Sequence, residues 1–177
     1  MKRVAYIDGA NLHNGTKDLG WCLDYQRFFV WLKDKYKIEE ARIFIGMLPE
    51  RANSYKYLAE IGFKLTFKET LRDKSGMVKG NCDAELIVSA MTEYFESGYG
   101  AFILISSDGD FAALLKFLRE KNVPTSILSP RNSCSFLLRK LNLPITYLDS
   151  QKNKLALHLA QKEKAPGEDE TSQGSLS

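Results

Sequence analysis

The run Ala101-Phe102-Ile103-Leu104-Ile105-Ser106-Ser107-Asp108-Gly109-Asp110-Phe111 decides the fold of this 177-residue chain. Its first five residues are apolar without alternation, as in a strand buried on both faces of a parallel sheet. Serines, aspartates and a glycine follow, the composition of a turn at the strand's carboxyl end. Upstream, Asp83 to Ser97 has helical periodicity, with Ile87, Met91 and Phe95 one turn apart as the expected core stripe. Downstream, the spacing predicts a helix over Phe111–Lys121, a strand over Thr125–Leu128, a helix near Ser133–Lys140 and a short strand over Ile145–Leu148.

The amino-terminal half repeats the alternation. Arg3–Ile7 reads as a strand entering a turn at Asp8-Gly9, and Tyr25–Tyr36 as an amphipathic helix. Arg42–Leu48 is a second strand that stops at Pro49, followed by a helix over Glu50–Ile61 closed by Gly62. Phe63–Phe67 alternates apolar and basic residues, and the polar stretch from Glu69 to Lys79 reads as a loop or mobile hairpin. Strands alternating with helices, joined by right-handed crossovers, give an α/β fold: a doubly wound three-layer sandwich with a mainly parallel sheet. Residues 1–150 are expected to form one domain and 151–164 a C-terminal helical extension. Residues 165–177 have lost their apolar content and are expected to be a disordered tail.

A hydrophobic share of 44%, a charged share of 27% and a net charge of +3 describe an ordinary globular chain, weakly basic and compatible with a nucleic-acid partner. The three cysteines, Cys22, Cys82 and Cys134, are scattered, and the histidines are only His13 and His158, so no clustered zinc ligands are expected. The start of the chain turns polar after Ile7, and no apolar run approaches the ~20 residues that cross a bilayer. The chain therefore reads as cytoplasmic, with no membrane partner and with reduced thiols.

Ligands of a doubly wound sheet bind beyond the carboxyl ends of the strands, where strand order reverses. Asp8 ends the first strand; Asp108 and Asp110 follow the Ala101–Ser106 strand; Asp83 opens the helix that feeds it. Each acid alone is explained by a helix cap or an Asp-Gly turn. Together they would crowd negative charge at one edge, raising their pKa values unless a cation is present. Oxygen-only ligands favour a hard ion, Mg²⁺ or Mn²⁺.

The segments YIDGANL (6–12), KGNCDAEL (79–86) and ISSDGDF (105–111) together resemble the NYN domain, a PIN-like family that includes LabA-like bacterial proteins. The similarity runs in order from about Lys2 to Leu148. It implies a PIN-like fold and a ribonuclease that uses Mg²⁺ or Mn²⁺. By this resemblance Asp8 and Asn11 match the family's DxxN, Asp83 the acid of its KGxxD, and Ser106, Asp108 and Asp110 its SGDGDF. Ser107 stands where a glycine is usual, which is expected to crowd the backbone beside the metal. Ser89 stands where some members carry another acid.

The implied chemistry is phosphodiester hydrolysis by metal-activated water. Asp8, Asp83, Asp108 and Asp110 would hold the ions, with Asp8 central, and Asn11 would orient a water or a phosphate oxygen. Single-stranded or structured RNA would be gripped by Ser106, Lys68, Arg72 and Lys79, with Lys64 and Lys74 nearby and Arg131 across the cleft. A homodimer is compatible with the sequence. A haloacid-dehalogenase-type phosphatase would need an acid at position 10, where the chain has Ala10. The stronger rival is a non-catalytic RNA-binding or scaffolding module of the same fold.

Overall fold

The computed structural model describes residues 1–68, 71–72, 78–79 and 82–157. Strand β1 (Lys2–Asp8) leads straight into helix α1 (Gly9–Asp18), and α2 (Tyr25–Tyr36) precedes β2 (Glu40–Gly46). A 3-10 turn at Pro49–Arg51 opens α3 (Ala52–Ile61), then come β3 (Lys64–Lys68), β4 (Leu71–Arg72), β5 (Val78–Lys79) and α4 (Asp83–Ser97). Strand β6 (Tyr99–Ile105), a 3-10 turn at Gly109–Phe111, α5 (Ala112–Glu120), β7 (Thr125–Ser129), α6 (Phe136–Arg139), β8 (Ile145–Tyr147) and α7 (Lys152–Leu155) complete the order.

Six strands form one parallel sheet in the order β3-β2-β1-β6-β7-β8. Counting only these six, the order is the doubly wound 3-2-1-4-5-6, and it reverses between β1 and β6. The expected α/β sandwich is therefore present. Within the 69–79 stretch, β4 and β5 pair antiparallel, Leu71 opposite Lys79. The expected tail at 165–177, and the extension beyond residue 157, lie outside the described residues.

Side chains alternate along the strands and build two cores. Ala5, Ile7, Ile43, Ile103 and Ile105 face Leu12, Phe28, Leu32 and Leu155 on one side. Val4, Tyr6, Phe44, Phe102 and Leu104 face Leu86, Ala90, Leu114, Leu115 and Leu138 on the other. Segment 155–157 docks on the α1–α2 link, where Asp24 N–H donates to Leu155 O and Leu157 N–H to Cys22 O, both at 2.8 Å.

Two local expectations change. The turn expected at Asp8-Gly9 is the start of α1, because Asp8 caps the helix: its Oδ1 accepts the Asn11 N–H at 3.0 Å. Gly9 is required there for space, since a Cβ would lie 2.3 Å from Ile45 Cγ2 and 3.1 Å from Phe44 O. The most buried stripe of α4 is Leu86, Ala90 and Glu93; of the expected stripe, Ile87 and Met91 pack on the edge of the same core and only Phe95 does not. Phe95 is 73% exposed, on the outer side with Tyr94 and Phe117. Apolar residues occupy both stripes, so spacing alone favoured the one with more of them.

Glu93 belongs to the inner stripe because the sheet supplies its partners. At 9% side-chain exposure it accepts the Tyr6 hydroxyl at 2.7 Å and pairs with Arg42 at 3.1 Å and Lys2 at 3.8 Å. Glu40, also buried, pairs with Arg42, with Lys64 at 2.6 Å and with Lys2 at 3.6 Å. Ser89 joins the group, its Oγ 3.3 Å from an Arg42 guanidinium nitrogen and 3.4 Å from the Tyr6 hydroxyl. Burial is the main cause that pushes the Tyr6 hydroxyl up to about 12, so it stays a donor at any ordinary pH. Replacing Glu93 with Ala removes the short acceptor of the Tyr6 hydroxyl, leaving it the longer contact with Ser89, and removes one partner of Arg42. Urea unfolding should show a loss of about 1.5–3 kcal/mol, the worth of hydrogen bonds to a charged group. Glu93→Gln, which keeps an acceptor for Tyr6, should lose less.

Candidate metal centre

The reversal of strand order sets Asp8 and the β6 exit side by side. Ile7 pairs with Ile105 in register, so the next residue of each strand emerges at the same edge of the sheet. Beyond Ile105 the chain continues through Ser106 and Ser107, outside any regular element. Asp108 then caps the 3-10 turn, its Oδ1 accepting the Asp110 N–H at 2.9 Å. Helix α4 brings Asp83 to the same edge from its first turn, on the stripe that continues through Leu86 and Ala90.

Asp83, Asp108 and Asp110 each place one carboxylate oxygen within 4.8 Å of the others. Oxygens held about 2.1 Å from a Mg²⁺ ion lie at most about 4.2 Å apart. The observed span therefore fits one small hard cation after minor side-chain adjustment. Asp8 is not a member of this trio but stands next to it. Burial, above all, raises the pKa of Asp8, and the charges of Asp83 and Asp108 raise it further, against the opposing Asn11 N–H and Ser106 hydroxyl. The edge is thus overloaded with negative charge, as a site that takes a cation should be.

The residues behind the acids hold them in place. Ser106 is 1% exposed; its hydroxyl donates to Asp8 Oδ2 at 3.3 Å and accepts the Asp108 N–H at 3.1 Å. The hydroxyl expected to meet substrate is thus buried and hydrogen-bonded to both aspartates. Asn11, expected to orient water or phosphate, is tied to Ser107: its Oδ1 accepts the Ser107 N–H at 2.9 Å, and its amide and the Ser107 hydroxyl lie 2.9 Å apart. Ser107, expected to crowd the backbone beside the metal, joins the β6 exit to α1 through these bonds.

The basic residues divide. Lys64 and Lys68 share a face of β3, yet Lys64 is bound to Glu40 towards the other end of the sheet. Lys68 lies at the carboxyl edge, 3.3 Å from Glu85. Arg72 and Lys79 sit opposite neighbouring positions of the β4–β5 ladder. Arg131 stacks its guanidinium 4.0 Å above the Tyr147 ring, and Asp149 Oδ2 accepts its N–H at 2.8 Å.

Glu85 is a site residue that sequence reading passed over. It stands two positions from Asp83, about 200° around the helix, so it faces β3 while Asp83 faces Asp108. The KGNCDAEL segment contained it, but only the tertiary contact with Lys68 marks it. Cys82 precedes the helix; burial, with Glu85, Asp8 and Asp83, pushes its thiol up to about 11 against the pull of Lys68. It remains protonated at neutral pH and is no nucleophile.

The chain matches the NYN domain over residues 3–142, a stretch that contains all four acids. It belongs to the NYN domain family. NYN domains are generally nucleases, and nucleases of this kind generally use divalent metals. The chain is similar to the low amplitude and bright protein LabA of Synechococcus elongatus (strain ATCC 33912 / PCC 7942 / FACHB-805), at 24% identity over 154 residues, 81% of each chain. Its fold is similar to the crystal structure of VPA0982, a protein of unknown function from Vibrio parahaemolyticus RIMD 2210633. The TM-score is 0.73 at 18% identity, covering 88% of this chain and 96% of that one. No helix among the described residues of this NYN domain is long and apolar enough to cross a membrane.

Replacing Ser106 with Ala removes the bridge between Asp8 and the Asp108 backbone. Mn²⁺ affinity, read by isothermal titration calorimetry, should fall roughly 10- to 100-fold, as when a group that orients metal ligands is lost. RNA affinity in chelator should not change, whereas a direct substrate contact would lower it.

Proposed function

We propose that this NYN domain is a metal-dependent ribonuclease that hydrolyses RNA phosphodiester bonds at the Asp8, Asp83, Asp108 and Asp110 edge. The observation that carries this reading is the trio of carboxylate oxygens within 4.8 Å, set beside a half-buried fourth acid at the point where strand order reverses. Asp83, Asp108 and Asp110 would hold the ion, and Asp8, oriented by Ser106 and the Asn11 N–H, would complete its coordination or bind a water beside it. The hard oxygen donor set suits Mg²⁺ or Mn²⁺. When bound, such an ion neutralises phosphate charge and lowers the pKa of water.

The protein's own part is placement. Asp8 and Asp108 each use one oxygen as a helix cap, which fixes the carboxylate plane before any ligand arrives. The Asn11–Ser107 lock keeps the β1 and β6 exits at constant separation. Lys68, Arg72 and Lys79 are assigned to the phosphate backbone of RNA on the β3 side. Residues 1–150 would form the nuclease domain, with 151–164 as a C-terminal helical extension, in a cytoplasmic protein able to form a homodimer.

Asp108→Asn keeps the size and the cap acceptor of this side chain but removes its charge. Cleavage of labelled single-stranded RNA in Mn²⁺ should fall by a factor on the order of 10² or more, since ion placement supplies much of the barrier lowering. Binding of the same RNA in chelator should persist, because phosphate contacts come from lysine and arginine. Loss of both would point to misfolding. A parent protein that binds RNA and never cuts it would reduce this site to a binding module.

A further inference from the structure

The acid edge has an apolar neighbour. Helix α6 is only four residues long, yet its first two, Phe136 and Leu137, are 66% and 53% exposed. Their segment packs on the acid loop through Ser135 and Leu137. The Ser135 N–H donates to Ser107 O at 3.0 Å. A Cβ on Gly109, the residue between Asp108 and Asp110, would lie 2.4 Å from Ser135 Oγ and 3.2 Å from Leu137 Cδ1. Leu137 therefore lies within van der Waals reach of the loop that carries two of the three clustered carboxylates, and Phe136 directly precedes it.

The surrounding segment has one sign of charge. From Arg131 to Leu141 the sequence RNSCSFLLRKL contains Arg131, Arg139 and Lys140 and no acid. Arg131 is exposed and held flat on Tyr147. An exposed aromatic side chain costs hydration unless a ligand covers it, and a large exposed apolar pair beside a charged site marks a contact surface. Arg131, Arg139 and Lys140, in the same segment, favour an anionic ligand. A ligand that is both anionic and flat-faced is an unpaired stretch of nucleic acid, whose bases offer their faces only when they are out of a duplex.

We propose that Phe136, with Leu137 beside it, is a base-stacking subsite next to the acid cluster, and that the RNA is single-stranded where it crosses this rim. The proposal rests on the nuclease reading of the acid edge and adds to it the strandedness of the substrate. Arg131 takes a phosphate on the same strand, its guanidinium already oriented by Tyr147 and its backbone by Asp149.

The test uses the full chain and a short oligouridine, in chelator so that no cleavage intervenes. Phe136→Trp should have its added fluorescence, over the background of Trp21 and Trp31, quenched by oligouridine and not by a duplex RNA. Phe136→Ala should bind oligouridine roughly 5- to 150-fold more weakly, the equivalent of one stacked base. Phe136→Tyr should restore binding, and the melting temperature should not move in any of these variants. Unchanged oligouridine affinity in Phe136→Ala, or equal quenching by duplex RNA, overturns the proposal. So does a fall in sedimenting mass for Phe136→Ala with RNA binding intact, which would make the patch an interface between two copies. Cleavage by the parent protein alongside either of these failures leaves the nuclease reading standing. Quenching in a protein that never cleaves does the reverse.

Discussion

Carboxylates gathered at one sheet edge repel one another, and a chain that keeps them there must hold them by other means. Here the hold is built from ordinary backbone devices. Asp8 and Asp108 are each pinned by accepting an N–H from the helical turn they cap, and Ser106 links one to the backbone of the other. Asn11 and Ser107 then join the two loops that carry them. None of these bonds neutralises charge. They fix geometry and leave the repulsion in place, which adds to burial in raising the pKa of Asp8, and the edge retains its demand for a cation.

Further down the same sheet the chain solves the same problem differently. Glu40 and Glu93 are buried too, but Arg42, Lys2 and Lys64 reach them from within the protein, and Tyr6 donates to Glu93. That cluster satisfies itself and ties α4 to β1 and β2, which in turn sets where the first turn of α4 delivers Asp83. Ser89, in the middle of the helix, serves this structural cluster through Arg42 and Tyr6. One helix thus spans both regimes: a neutralised, load-carrying end and an unneutralised, ligand-seeking one. Glu85 and Lys68 mark the boundary, an ion pair at the carboxyl edge beside the acids.

Both sides of the acid edge combine cations with exposed apolar side chains. On the β3 side Lys68 follows Phe67, which is exposed, and on the β7 side Arg131 belongs to the segment that carries exposed Phe136 and Leu137.

Much of this was legible in the residues. The unbroken apolar run before Ser106 required a parallel sheet, and the acids at Asp8, Asp83, Asp108 and Asp110 followed elements whose ends share an edge, because strand direction and helix period are local properties of the chain. What the residues could not reveal was which neighbours each polar group would find. Ile87, Met91 and Phe95 made the better apolar stripe on paper, yet Glu93 turned inward because Tyr6 and Arg42, distant in sequence, were waiting there. Ser106 and Asn11 carried the right chemistry to touch a ligand, and only the fold shows one buried between Asp8 and Asp108 and the other tied to Ser107. Glu85 acquired meaning only from Lys68. Hydrophobic periodicity is written along one segment, whereas hydrogen-bond and ion-pair partners come from segments brought together by folding, and only the tertiary structure decides those.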